Sequence, residues 1–394
     1  MNSGKLPARP SGRYATSSVA GETVRAFIPS PLPPEPPIEI LPLLPLLSRA
    51  DRALGRLDGI TLLLPSHELF LYMYVRKEAV LSSQIEGTQS TLSDLLRYEG
   101  QARAGQPFDD IREVSNYVDA LMHGLDRLQT LPLSQRLIRE LHGHLLQSGR
   151  GVNQNPGEFR RSQNWVGGTR PGNALFVPPP PTALADALGA LEAFIHEDSS
   201  GLPPLIKAGL IHLQFETIHP FLDGNGRIGR LLVTLFLCSQ GTLRSPLLYL
   251  SLYLKSHRRD YYRLLQEVRE TGAWNAWLEF FLQGVSTTAD GAFDAANRIV
   301  ELFRRDRDRI VQRSERTASA LRLHEQFQRS PFLTAGALVE HAGLSAPTVN
   351  SALADLCRLD VITEITGKRR GRVYAYHRYL DILDEGTEPL TPRV

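Results

Sequence analysis

A chain of 394 residues with a formal net charge of +2 is too long for one small core, so two or three domains are expected. The near-neutral balance excludes a strong field towards nucleic acid or membrane. Two cysteines, Cys238 and Cys357, exclude a disulfide framework and suit buried thiols in a reducing compartment.

In chain order, Met1 to Glu22 is polar, and residues 1–28 read as a disordered N-terminus. They lack an apolar signal region, and no unbroken apolar run reaches about 18 residues, so a cytoplasmic protein with no membrane partner is expected. Pro29-Ser-Pro-Leu-Pro-Pro-Glu-Pro-Pro37 is an extended segment. Helices are predicted over residues 43–57, 66–85, 110–129, 134–146, 182–196 and 203–216, then over 261–271 and 274–283. The stretch from Leu69 to Val80 reads as amphipathic. Strand-like pieces at 163–166 and 174–177 flank a glycine, arginine and proline turn, which predicts a β-hairpin. Pro178 to Pro181 cannot donate to a ladder and end it. From Asp290 to Arg329 opposite charges interleave along a long, solvated connecting helix.

The richest stretch is His219-Pro-Phe-Leu-Asp-Gly-Asn-Gly-Arg-Ile-Gly-Arg230. Gly224, Asn225 and Gly226 let successive N–H groups point at one anion, and Leu231 to Cys238 continue as a buried helix whose positive end faces it. Arg227 and Arg230, three apart, clamp phosphate oxygens, with Ile228 and Gly229 between them. Asp223 suits a divalent cation, and the imidazole of His219 suits a general base. Together they read as a nucleotide phosphate site with a base beside it.

This segment resembles the signature of the Fic (Fido) family, His-x-Phe-x-Asp/Glu-Gly-Asn-Gly-Arg-x-x-Arg, with every specified position filled. The resemblance implies a mainly α fold that transfers AMP from ATP to a Tyr, Thr or Ser hydroxyl of a target protein and of itself. His219 would deprotonate the hydroxyl, Asp223 would hold Mg²⁺, Gly224 to Gly226 would cradle the phosphates, and Arg227 and Arg230 would pair with the outer ones. Phe221 would be a core anchor. Upstream, Ser82-x-x-x-Glu86-Gly87 resembles the family's inhibitory motif, whose glutamate pairs with the second arginine, here Arg230. One guanidinium cannot serve a carboxylate and a phosphate together; a solvated helix end closing at Gly87 is the plainer alternative. The hairpin resembles the family's flap, which aligns the target by strand addition, with Trp165 and Val166 as nucleotide contacts. Tyr261 and Tyr262 resemble an aromatic pair bordering the adenine, although packing explains them as well.

The last segment reads as helix, turn, helix and hairpin. Thr334 caps the first helix, while Ser345 and Pro347 open the second. It resembles a winged helix-turn-helix with Lys368, Arg369, Arg370 and Arg372 on the wing, which would take duplex DNA through its phosphates or serve protein contacts.

The expected organisation is therefore a disordered start (1–28), an N-terminal helical region with the inhibitory motif (29–110) and a Fic catalytic domain with its hairpin flap (111–285). A connecting helix (286–330), a winged helix-turn-helix (331–385) and a tail (386–394) follow. A self-inhibited protein adenylyltransferase using ATP and Mg²⁺ is the leading reading, with DNA and a homodimer left open as further partners. The alternatives are a Fic-fold enzyme with another donor or a de-AMPylating activity, and a DNA-binding regulator that senses nucleotide.

Overall fold

An apolar helix with no polar face must lie inside other helices, and two such helices organise this molecule. Every residue of Pro204–Ile218 from Leu205 onward is buried, and Asn225–Ser239 buries Ile228 and all of Leu231 to Leu237. The computed structural model describes residues 10–19, 21–60, 67–100, 109–198 and 201–390. They form β1 (Gly12–Val19), β2 (Glu22–Pro29), α1 (Leu44–Ile60), α2 (His67–Ile85), α3 (Leu92–Gly100), α4 (Asp109–Arg127) and α5 (Gln135–Leu145). Next come α6 (Pro181–His196), α7 (Pro204–Ile218), α8 (Asn225–Ser239), α9 (Ser251–Ser256), α10 (Arg258–Thr271) and α11 (Trp274–Arg313). The chain continues with α12 (Thr317–Arg329), β3 (Phe332–Thr334), α13 (Ala335–Ala342), α14 (Ala346–Arg358), β4 (Thr363–Glu364), β5 (Val373–Ala375) and α15 (His377–Asp384). The fold is mainly α with small antiparallel sheets.

The central α7 packs on α8, α6 and α11, while α4, α5 and α2 cover α8. Helix α2 lies between α4 and α9, so the expected amphipathic face is lost and even Lys77 and Glu78 are buried. Their charges are met locally. The Lys77 amine sits 4.8 Å from the Tyr249 ring centroid, and the Glu78 carboxylate accepts from Ser251 N–H at 3.1 Å. Burial still pushes the Glu78 carboxyl up to about 7.

Several expectations are corrected. Residues 12–19 and 22–29 are not disordered: β1 and β2 form an antiparallel pair from Gly12↔Pro29 to Val19↔Glu22. Val24 and Ala26 pack on Val177, and Phe27 N–H donates to Val177 O at 2.9 Å, so a distant segment supplies the partner that a polar strand lacks alone. Residues 1–9 and Ser66 lie outside the described residues. The flap hairpin shrinks to one bridge, Val166↔Phe176, because Gly167 and Gly168 take positive φ and Pro171–Asn173 makes a 3₁₀ turn.

The two helices expected around residue 285 are one, the 40-residue α11. Its Ala289, Ala292, Ala296, Ile299, Leu302 and Phe303 form a buried stripe, so it is no solvated connector; α1 covers part of it. The sequence stretch expected to continue it is the separate α12. Within the tail, Thr387 is buried.

In the C-terminal module the antiparallel strand order is β3-β5-β4, with Phe332 and Thr363 both opposite Ala375. Thr334 and Ser345 cap α13 and α14 through Ala337 and Thr348 N–H. The buried Tyr376 hydroxyl donates to Asp306 of α11 at 2.7 Å. A single apolar cluster runs from Leu32 to Leu383. Among the described residues no helix is long and apolar enough to cross a membrane.

Candidate active site at the α7–α8 junction

His219 terminates α7 in the left-handed conformation, φ 49° and ψ 61°. That is unusual for a residue with a Cβ and is held by its surroundings. Arg160, buried, donates from Nε to His219 O at 2.9 Å and from Nη2 to Pro179 O at 2.6 Å. Asn164 donates to Phe221 O at 2.9 Å. Asn225 closes the loop, accepting from Phe221 N–H and donating to Phe221 O, both at 2.8 Å. The Asn225 amide is therefore spent on the loop, leaving its backbone to face an anion.

His219 Nδ1 lies 3.3 Å from Glu216 O. A carbonyl only accepts, so Nδ1 carries the hydrogen and Nε2 keeps its lone pair. Burial, then the neighbouring Arg269 charge, lower its pKa to about 4, so the ring is neutral at pH 7 and its Nε2 lone pair is free to accept a proton. Phe221 is fully buried and stacks on His142, 3.7 Å between centroids. His142 Nδ1 accepts from Gly157 N–H at 2.8 Å, so Nε2–H donates to Asp223 O at 3.0 Å.

Gly224, at φ 77°, starts α8. Arg227 is 4% exposed, yet among the described residues its Nε and Nη1 find no hydrogen-bond partner; the carboxylates of Glu113 and Asp223 are 3.6 and 3.7 Å away. Buried guanidinium N–H groups without acceptors at a helix N-terminus suit an anion. Arg230 is otherwise engaged. It donates from Nε to Ser82 Oγ at 2.8 Å, and from Nη2 to Ser82 O at 2.9 Å and Glu86 Oε1 at 2.7 Å. Desolvation, the largest single influence, raises the Glu86 carboxyl, but the Arg230 charge and hydrogen bond together with the other neighbouring charges outweigh it and hold the pKa below the usual range. Gly87 follows at φ 104°.

The structure thus brings His219, Asp223, Gly224 to Arg227, Arg230, Ser82 and Glu86 to one place. Other expected contacts sit differently. Ile228 is in the core, and a Cβ on Gly229 would stand 2.3 Å from Glu216 Oε1. Tyr261 is 1% exposed, its hydroxyl 2.9 Å from His212 Nε2, so it packs behind the site. Tyr262 is 40% exposed; burial, then the Glu86 charge, push its hydroxyl up to about 12. Trp165 is 37% exposed on the bridge segment beside Val166.

Residues 44–126 match the Fic/DOC family N-terminal model and residues 132–237 match the Fic/DOC family model. Residues 44–237 thus carry a Fic/DOC family region. Over 210 residues, 52% of this chain, it is 32% identical to protein adenylyltransferase Fic of Drosophila virilis and 31% identical to that of Drosophila grimshawi. The chain spans 40% of the length of these relatives. A crystal structure of a Fic family protein from Desulfovibrio desulfuricans G20 matches with a TM-score of 0.56 at 20% identity, covering 85% of this chain and 95% of that one. That likeness is one of fold.

Within this Fic fold, Arg160, Asn164, His142 and Arg269 went unnoticed in the sequence. Arg269 donates to Thr217 Oγ1 at 3.1 Å and lies 3.7 Å from the Phe176 ring centroid, joining the His219 turn to the bridge segment. Each acts largely through backbone atoms or ring faces, which leave no motif.

Proposed function

We propose that this protein is an adenylyltransferase that moves AMP from ATP to a protein hydroxyl and is restrained by the end of α2. The observation that carries this reading is the contrast between two arginines one turn apart. Arg227 has buried N–H groups without acceptors among the described residues, whereas Arg230 is bonded to Glu86 and Ser82. The names of the Drosophila relatives support the same activity.

ATP would lay its phosphates against the N–H groups of Gly224 to Gly226 and the Arg227 fork. Asp223 suits Mg²⁺ because a single carboxylate with phosphate oxygens and waters is this ion's usual set, and its side chain is 44% exposed. The metal, when bound, supplies positive charge to the phosphates. His219 Nε2 takes the target's hydroxyl proton, the oxygen forms a bond to the α-phosphorus, and the bond to pyrophosphate breaks. While Glu86 occupies Arg230, the γ-phosphate lacks its partner and this alignment fails. The target segment would pair by its backbone along the Val166–Phe176 bridge, beside Trp165.

For the C-terminal module we infer a winged helix. The run α12, β3, α13, α14, β4, β5 supports it, as do Lys368, Arg369, Arg370 and Arg372, all exposed between β4 and β5. The enzymatic reading is tested by intact-mass measurement of the purified protein after incubation with ATP and Mg²⁺. Wild type should gain little AMP and Glu86→Gly much more; no gain in either removes it.

A further inference from the structure

Three residues before Gly87, the inhibitory segment is gripped from the side opposite Arg230. The Gln84 side chain, 1% exposed, donates from Nε2 to Ser90 O at 2.9 Å and to Thr387 O at 2.7 Å. Its Oε1 accepts from Lys255 Nζ at 2.7 Å. Lys255, on α9 and 7% exposed, spends its other two N–H groups on Gly386 O at 3.0 Å and on Glu388 O. Among the described residues no carboxylate bonds this buried ammonium; three neutral oxygens surround it, an arrangement that is stable only while all three stay in place. Two of them belong to the segment that follows α15. Further ties join the same parts. Asp384 accepts from Ser93 N–H at 3.1 Å and from its hydroxyl, and Arg298 bonds Glu385 through Nη1 and Nη2. Gly386 holds φ 79°, a backbone that a residue with a Cβ rarely adopts, and a Cβ there would stand 2.7 Å from Leu252 Cδ1.

We infer that Lys255 and Gln84 are positioning residues through which the segment 384–388 of the C-terminal module holds the inhibitory turn against Arg230. The inference rests on the inhibitory reading of Glu86. Its physical content is a coupling between two contacts of one short turn. Gly87 N–H donates to Gln84 O at 3.1 Å and the Thr88 hydroxyl to Ser83 O at 2.6 Å, so the backbone between Ser82 and Thr88 is one hydrogen-bonded unit. Loosening it on the Gln84 side lets Glu86 leave Arg230 more often. Whatever displaces the C-terminal module then acts on the arginine that the γ-phosphate needs.

Labelled AMP incorporation by wild type, Lys255→Met, Glu86→Gly and the double variant tests this. Lys255→Met keeps the stem and removes all three donors. It should raise labelling roughly 5- to 30-fold, the response to a modest loss of the closed state. The double variant should equal Glu86→Gly alone. Hydrogen exchange at residues 82–88 should quicken in Lys255→Met while ATP is absent. If Lys255→Met is insoluble, Gln84→Leu, which leaves the ammonium in place, should give the same activation. Wild-type labelling in a folded Lys255→Met or Gln84→Leu beside an activated Glu86→Gly overturns the latch and spares the inhibitory reading. A Glu86→Gly protein no more active than wild type removes both.

Discussion

Gly226 lies so close beneath Glu86 that a Cβ on it would stand 2.3 Å from Glu86 Oε1 and 3.0 Å from Arg230 Nη1. The glycine is therefore the space in which the ion pair sits. Gly226→Ala should break the Glu86–Arg230 contact by overpacking, at a cost of roughly 1–3 kcal/mol. In a Glu86→Gly background most of that cost should vanish, because the carboxylate it meets is gone. Urea unfolding of the four proteins measures the coupling. Equal costs in both backgrounds would show that the contact does not constrain position 226.

Glu86→Gly should increase AMP incorporation, and Arg230→Ala should be weakly active with or without Glu86. The arginine has two partners in turn, so removing the carboxylate gains nothing once the guanidinium is absent. Initial rates of labelled AMP transfer across the four combinations give the answer. A gain from Glu86→Gly that persists in the Arg230→Ala background would mean that Glu86 acts elsewhere.

The pH dependence follows from the lowered pKa of His219, about 4. A base must be unprotonated, and a depressed pKa keeps it so far below neutrality. kcat/KM, which reports the free enzyme, should be flat from pH 8 to 6 and fall only towards pH 4. A histidine near its ordinary pKa of about 6.5 would instead lose activity progressively below pH 6.5. His219→Ala should lower the rate about a hundredfold to ten-thousandfold at pH 7 while isothermal titration still detects ATP binding.

Lys368, Arg369, Arg370 and Arg372 are exposed at the tip between β4 and β5. If that tip meets duplex DNA, replacing Arg369, Arg370 and Arg372 with alanine should weaken binding to all sequences alike and flatten its salt dependence. A gel shift at low salt reads this directly; wild type that fails to shift any duplex leaves the module to protein contacts.

What could be read from the sequence divides along a physical line. The His219 to Arg230 segment was legible because its chemistry is local: one turn and one helix start hold the glycines, the carboxylate and both arginines. Ser82 and Glu86 were legible as a motif, and Arg230 lies 144 residues from Glu86, at 2.7 Å in space. The β1–β2 pair was not, since its polar strand is ordered by Phe27 N–H donating to Val177 O, a partner outside any local window. Arg160 escaped notice because it holds carbonyl oxygens, which every residue has. The continuity of α11 was hidden by Gly284, which normally weakens a helix. Here a Cβ would stand 2.7 Å from Tyr253 Cδ1, so the glycine marks a close crossing rather than a break.

Helix α11 also settles how the molecule comes apart. Its 40 residues make a rod about 60 Å long. One end lies against α7 and α10, its flank against α1, and its far part against α12 and α15. The rod carries the chain from the half that holds the site to within three residues of α12, which opens the half that holds the basic tip. Cutting the rod itself would bare the apolar stripe that α1 covers. The two halves should melt in one calorimetric transition, and a truncated catalytic half should precipitate rather than work alone.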